Sequence, residues 1–258
     1  MAILKTDAVV LKGWKLGETS KICSLCTRDF GKVKVVAKGA YGPKSKFKGL
    51  LEPMTRITAV FYDKKTRDLQ LLSQADLLDP HLRMIGDLER SALGLAQVEL
   101  VDRVLAADDA FPQMHELLSG VLEGLDSGSG FLEGFYWYFE SRFIDIMGYK
   151  PTWDACLDCG GSLGAGGGFF QPHNGGLLCP ACGGRRGGLR VGGETLEILY
   201  WLQRCKPEDI GKLRPVPGQK AEIRRMYDIY FRTHIENMKP IRSLELFYET
   251  ESCSAPSH

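Results

Sequence analysis

Two Cys-x-x-Cys pairs, Cys156 with Cys159 and Cys179 with Cys182, are separated by 19 residues in a stretch that holds almost half of the chain's 30 glycines. Each pair offers two thiolates on one side of a tight turn, and a tetrahedral zinc ion takes four sulfur ligands at about 2.3 Å. The chain between the pairs must therefore double back. Phe169-Phe170 and Leu177-Leu178 supply the two arms of a β-hairpin, as in a zinc ribbon. Gly160-Gly161 and Gly183-Gly184 let the backbone wrap so that N–H groups point at sulfur. With cysteine in every position the site is closed, which predicts one structural zinc ion and no catalytic metal. His173 enters the ligand set only if a cysteine is displaced. Free thiols or disulfides are the competing reading, disfavoured in a reduced cytosol, and a redox-active pair lacks the βαβ frame it needs. Cys23-x-x-Cys26 lies in a run that reads as a strand, where residues three apart face opposite ways, so two packed thiols are expected there. Cys205 and Cys253 are isolated.

The remainder of the 258 residues, 44% hydrophobic and 25% charged, has the composition of an ordinary globular protein. Lys5, Asp7 and Lys12 interrupt the N-terminal apolar run, and no stretch of about 18 apolar residues follows, which predicts a cytoplasmic protein with no membrane contact. The first 80 residues alternate short β-forming runs (Ala8 to Lys12, Ser20 to Thr27, Lys32 to Ala37, Arg56 to Tyr62, Leu69 to Gln74) with Gly, Pro and Asp turns, the pattern of a five-stranded antiparallel barrel of the OB type. After Pro80 the period becomes helical. Ile85, Leu88, Ala92, Leu95, Val98, Val101 and Leu105 form one stripe on a helix to about Ala106, and a second helix spans about Gln113 to Leu125. Asp126 to Gly130 breaks the chain before Leu132, Phe135, Phe139, Phe143 and Ile146 line a third helix. Leu196, Leu199 and Tyr200 mark a short helix. Ile223, Met226, Tyr227, Tyr230, Phe231 and His234 mark a long one, with His234 expected as a packed side chain. The fold class is thus α+β: an OB-type barrel over 1–80, a helical domain over 81–150 and 192–248, an inserted zinc module over 151–191, and a flexible polar tail over 249–258.

The formal net charge of +1 conceals a polarised chain, because residues 1–80 carry +7 and residues 81–150 carry −7. Lys32, Lys34, Lys38, Lys44, Lys46 and Lys48 follow one another without an acid between them. On a strand, Lys32, Lys34 and Lys38 share the face opposite Val33 and Val35, at about 7 Å spacing, which suits a nucleic-acid backbone. Arg56 extends the candidate phosphate contacts, and Trp14, Phe30, Tyr41 and Phe47 lie near enough in sequence to stack on bases or to fill the barrel. Familiar catalytic signatures fail on spacing. Gly39 to Ser45 lacks the adjacent Gly-Lys-Ser of a P-loop, His115-Glu116 lacks the second histidine of a metalloprotease, and no Lys-x-Asp-Gly nucleotidyl-transfer motif occurs. The sequence therefore points to a binding protein and not to an enzyme.

The order of these parts resembles the RecO family of bacterial DNA-repair and recombination mediators, over essentially the whole chain. The matching stretches are Asp7-Ala-Val-Val-Leu-Lys with Gly17-Glu-Thr-Ser-Lys, Phe30-Gly-Lys-Val, Lys38-Gly-Ala with Pro43-Lys-Ser-Lys-Phe, Leu51-Glu-Pro, and Cys156 through Cys182. The resemblance implies a non-enzymatic protein that binds single- and double-stranded DNA and anneals complementary strands. It further implies action with RecR to load RecA on DNA coated by single-strand-binding protein. Family members bind the acidic C-terminal tail of that protein through the helical domain. Here residues 81–150 are acidic, so Arg224, Arg225 and Arg232 are the cations expected to meet it. Some relatives lack the zinc cysteines, which agrees with a structural metal. The alternative is an RNA-binding transcription or translation factor built from the same barrel and zinc ribbon, and a ligase-type enzyme is the third reading.

Overall fold

The computed structural model describes residues 2–64, 66–106, 111–236 and 238–254, with side chains as far as Tyr248. Five strands come first: β1 (Ala2–Leu16), β2 (Ser20–Thr27), β3 (Gly31–Ala37), β4 (Arg56–Asp63) and β5 (Leu69–Asp79). Helices α1 (Leu82–Gly86), α2 (Leu88–Val104), α3 (Pro112–Ser127) and α4 (Glu133–Ile146) follow. Strands β6 (Thr152–Cys156), β7 (Gly168–Gln171) and β8 (Gly176–Leu178), helix α5 (Pro180–Arg186) and strand β9 (Leu189–Val191) make the cysteine module. Helices α6 (Gly193–Leu202), α7 (Pro217–His234) and α8 (Arg242–Ser254) close the chain. Among the described residues no helix is long and apolar enough to cross a membrane.

The chain clusters into two compact units, Met1–Gly128 with Ile241–His258, and Ser129–Pro240, divided within the Asp126 to Gly130 helix break. In the first unit, strands β1-β2-β3-β5-β4 close into an OB-type barrel. Alternation builds it: Val33, Val35 and Ala37 of β3 are buried while Lys34 between them is exposed, and their inward partners are Ala8, Val10, Cys23 and Leu25. Each buried aliphatic or aromatic side chain contributes about 1.5–3 kcal/mol relative to exposure. Phe30, which meets Phe61 edge-on at 6.0 Å, packs against this core, and Phe47 lies within it. The β2–β3 turn depends on Gly31, whose φ of 65° is the left-handed region that L side chains avoid. The expected barrel was antiparallel throughout, whereas β3 and β5 pair in parallel, because that pairing closes the cylinder between strands that are not consecutive.

The single helix expected from Ile85 to Ala106 is divided. Asp87 accepts a hydrogen bond from the Arg90 N–H and caps α2, so Ile85 and Leu88 stand outside the buried stripe and are 71% and 57% exposed. Ala92, Val98 and Val101 are buried as the period requires. Helix α8 lies against α2, with Glu99 of α2 accepting from the Arg242 and Ser243 N–H groups at its first turn. The chain from Glu249 to Ser254, expected as a flexible tail, continues this helix, and residues 255–258 lie outside the described residues.

In the second unit α4 is buried on all sides from Leu132 to Ser141, not along one stripe, Glu133 and Glu140 included. Phe143 meets Phe231 of α7 at 5.8 Å, and Ile223, Met226, Tyr227 and Tyr230 bury the expected α7 stripe. His234 packs against Tyr230 and Tyr149, with its Nε2 2.8 Å from the Pro172 carbonyl oxygen, the packed role expected of it.

Candidate metal centre and nucleic-acid interface

The cysteine module forms a four-stranded sheet ordered β6-β8-β7-β9. The anticipated hairpin is β7 with β8, paired Phe169 to Leu178 and Phe170 to Leu177. Cys156 ends β6, Cys179 follows β8, and Cys182 lies on α5, so strand pairing between β6 and β8 brings the two cysteine pairs together. Gly183 has no room for a side chain, since an added Cβ would stand 2.2 Å from the Phe169 ring. The four sulfurs lie within 4.8 Å of one another, and Cys159 and Cys179 are 3.9 Å apart. Sulfurs at the corners of a tetrahedron around an ion with 2.3 Å bonds would be about 3.8 Å apart, so the site fits a metal ion with little adjustment.

The electrostatics favour the same use. Backbone N–H groups, first that of Cys159 and then that of Cys179 (N to Sγ 3.3 Å), hold the Cys156 thiol down to about 6. The Cys182 thiol is pushed up to about 12 by its hydrogen bonds to the other sulfurs, Cys179 first, and by the Cys156 charge. A set of thiols that resists accumulating negative charge is one that a dication stabilises. By contrast Cys23 and Cys26 point to opposite sides of β2, one into the barrel and one out of it, and burial pushes them up to about 11 and 12. They are packed thiols.

The lysine row divides on the surface of the barrel. Lys34, Lys38, Lys44, Lys46 and Lys48 are exposed. Lys46 donates to the Ser73 carbonyl at 2.5 Å and stands over the Phe47 ring. Lys32 is on the same face of β3 yet is bound within the protein: its ammonium meets the Asp102 carboxylate at 3.1 Å, donates to the Asp102 carbonyl and lies 3.3 Å from the Leu105 carbonyl. Ser24 donates to the same carboxylate at 2.7 Å. Arg56 is likewise held, 2.5 Å from Asp7. Burial raises the Asp7 carboxyl, but the Arg56 hydrogen bond together with the Arg56 and His115 charges outweighs it and leaves the group below its ordinary value. For Lys32 and Arg56, two of the expected phosphate contacts, meeting a phosphate would first break a partly buried ion pair. Reading β3 alone missed this, since Asp102 lies 70 residues away on α2.

Lys12 was missed for the opposite reason. A register shift in β1 between Val10 and Lys12 turns it outward, level with Ser24 and Lys34, and nothing in the sequence marks that bulge. Of the aromatics near the row, Trp14 and Tyr41 are exposed while Phe47 is buried.

The arginines of α7 are also placed differently from one another. Arg224, expected to meet the acidic tail of a partner, grips Glu133, a carboxylate 1% exposed, at 2.6 and 2.7 Å. Arg232 pairs with Asp228 one turn earlier, and Arg225 is exposed.

The N-terminal model of recombination protein O matches residues 1–81 and the C-terminal model matches residues 85–245. A protein named DNA repair protein RecO from Geobacter metallireducens is 35% identical over 252 residues, 97% of this chain and 99% of the relative. Its namesakes from Chlorobium limicola and Chloroherpeton thalassium are 31% and 30% identical, over 94% and 95% of this chain and 96% and 98% of those relatives.

Proposed function

The chain belongs to the recombination protein O family of DNA-repair proteins, and from that premise we propose that it is a recombination mediator with no catalytic step of its own. It binds single- and double-stranded DNA, anneals complementary strands, and acts with RecR to load RecA onto DNA coated by single-strand-binding protein. The observation that carries DNA binding is the run of exposed cations Lys34, Lys38, Lys44, Lys46 and Lys48 on β3 and the segment after it. Closing the barrel turns every apolar side chain of β3 except Val36 inward and leaves Lys34 to solvent, the start of a row at backbone spacing where each phosphate met releases a counterion. The four cysteines hold one zinc ion whose part is structural, fixing β6 to β8 and α5. In the second unit Arg225, with Arg232 if it exchanges Asp228 for a new partner, supplies charge for the acidic tail of single-strand-binding protein. The cytoplasm, at the nucleoid, is the place such work requires.

The test is a salt series. Replacing Lys44, Lys46 and Lys48 with Glu is expected to weaken DNA binding and to flatten the slope of log K against log salt for a single strand by about 0.7 for each phosphate no longer neutralised. Unchanged affinity and slope would remove these lysines from the site.

A further inference from the structure

Strand register places an apolar row around the outside of the barrel. Trp14 stands opposite Ile22, Ile22 opposite Val36, Val36 opposite Leu71, Leu71 opposite Tyr62, and Tyr62 opposite Ile3. Outward positions of an isolated barrel are ordinarily polar, so an outward apolar row is either covered or has a use. Helices α2 and α3 pack on β1 and β2, where outward Val9 and Cys26 are buried. The row begins beyond that cover: Trp14 is 38% and Ile3 64% exposed, and the four residues between them are half-buried.

Lysines flank its β1–β3 part. Lys12 and Lys34 lie in line with Ser24 on one side, and the exposed Lys38, the first residue after β3, follows on the other. Neighbouring rows are about 7 Å apart and neighbouring strands about 4.8 Å, so Trp14, Ile22 and Val36 span about 10 Å, with two ammonium groups along one side and that of Lys38 on the other. That is an apolar floor with positive edges. A duplex keeps its bases stacked inside and offers a protein face only phosphates and groove edges, whereas a single strand can lay base faces on the floor while its backbone follows the lysines.

We propose that this row is a base-stacking platform that selects single-stranded over double-stranded DNA, with Trp14 as its principal stacking residue and Ile22 and Val36 as its floor. The assignment rests on the DNA-binding reading above and adds the strand form that the site prefers. Tyr41 belongs beside it. Its N–H donates to the Thr19 carbonyl at 2.9 Å, at the β1–β2 turn just beyond Trp14, and its ring is 49% exposed.

The experiment compares a thymidine oligonucleotide with a duplex of equal length, using the full chain and its Trp14→Ala and Trp14→Phe variants over a range of salt. Trp14→Ala is expected to lower the ratio of single-strand to duplex affinity by about 5- to 150-fold with the salt slope unchanged, and Trp14→Phe to restore most of it. The oligonucleotide should also quench tryptophan emission in the unaltered chain. That quenching should be largely lost in Trp14→Phe, because Trp137 and Trp153 are buried and Trp201 is half-buried on α6 in the second unit. An unchanged ratio, or a loss shared equally by duplex and single strand, overturns the platform while leaving DNA binding intact. Failure of the unaltered chain to bind either DNA overturns the DNA-binding reading itself, and the platform with it. Thermal unfolding of both variants separates weakened stacking from a damaged fold, and Trp14→Phe keeps the question decidable if Trp14→Ala is destabilised.

Discussion

Replacing Lys32 with Ala tests whether structure or sequence position decides what a lysine of β3 does. The Lys32 side chain is 12% exposed and its partner Asp102 20%, and the ammonium also meets carbonyls of Asp102 and Leu105 at the end of α2. A hydrogen bond to a charged group is worth about 1.5–3 kcal/mol, and a cation at a helix C-terminus adds about 0.3–1 kcal/mol. Breaking a fully buried pair costs about 3–5 kcal/mol. Here Asp102 keeps Ser24 and some solvent, so the expected loss is about 3 kcal/mol. With a urea slope of about 2 kcal/mol per molar, the unfolding midpoint should fall by about 1.5 M. The single-strand salt slope should stay constant, because Lys32 releases no counterion from DNA. Lys34→Ala is the mirror case: its midpoint should stay put while its slope flattens by about 0.7. The double variant Lys32→Met with Asp102→Asn should recover much of the missing stability, since it removes both charges together. A Lys32→Ala protein with an unchanged midpoint and a flattened slope would refute the reasoning and return Lys32 to the phosphate contacts.

Two further outcomes concern the second unit. Metal analysis of protein purified without added zinc should give about one ion per chain, and stripping it with a strong chelator should abolish hydrogen-exchange protection between Cys156 and Val191 while that of the barrel persists; a metal-free protein with the module fully protected contradicts a structural ion. Glu140 is buried on α4, and burial first, then the Glu133 and Asp228 charges, push its carboxyl well above the ordinary value. The folded state then holds this proton more tightly than the unfolded state, so its contribution is fully present below the unfolded carboxyl value and is lost as pH rises through the folded one. Glu140→Gln should consequently raise the melting temperature at about pH 8 and change it little at about pH 5; an equal shift at both would show that Glu140 does not titrate in this way.

What the sequence made legible was local. The cysteine spacing implied a closed tetrahedral site, the period of 2 in Lys32 to Ala37 implied one wet and one dry face, and the α7 stripe implied its buried residues, because each signal lies within one short stretch of chain. The divided helix at Asp87 shows the limit even of local reading. The hydrophobic period continues through Ile85 and Leu88, but an aspartate that can accept from the Arg90 N–H starts a new helix there and leaves both side chains in solvent. Helix α8 was hidden because its residues are polar by composition and become helical against α2, where Glu99 receives their first N–H groups.

The candidate surface was decided at longer range. Sequence alone determined that this chain carries a lysine-rich barrel, a closed four-cysteine site and amphipathic helices. Tertiary structure decided which basic side chains are paired within the protein, because Lys32 meets Asp102, Arg56 meets Asp7 and Arg224 meets Glu133 across spans of 49 to 91 residues. It also decided that Lys12 and Trp14 join Lys34 and Val36 on one face, since the β1 bulge and the strand register align residues no short pattern connects. Secondary structure follows from neighbours along the chain, whereas the fate of a charge depends on which counter-charge folding brings within a few ångströms of it.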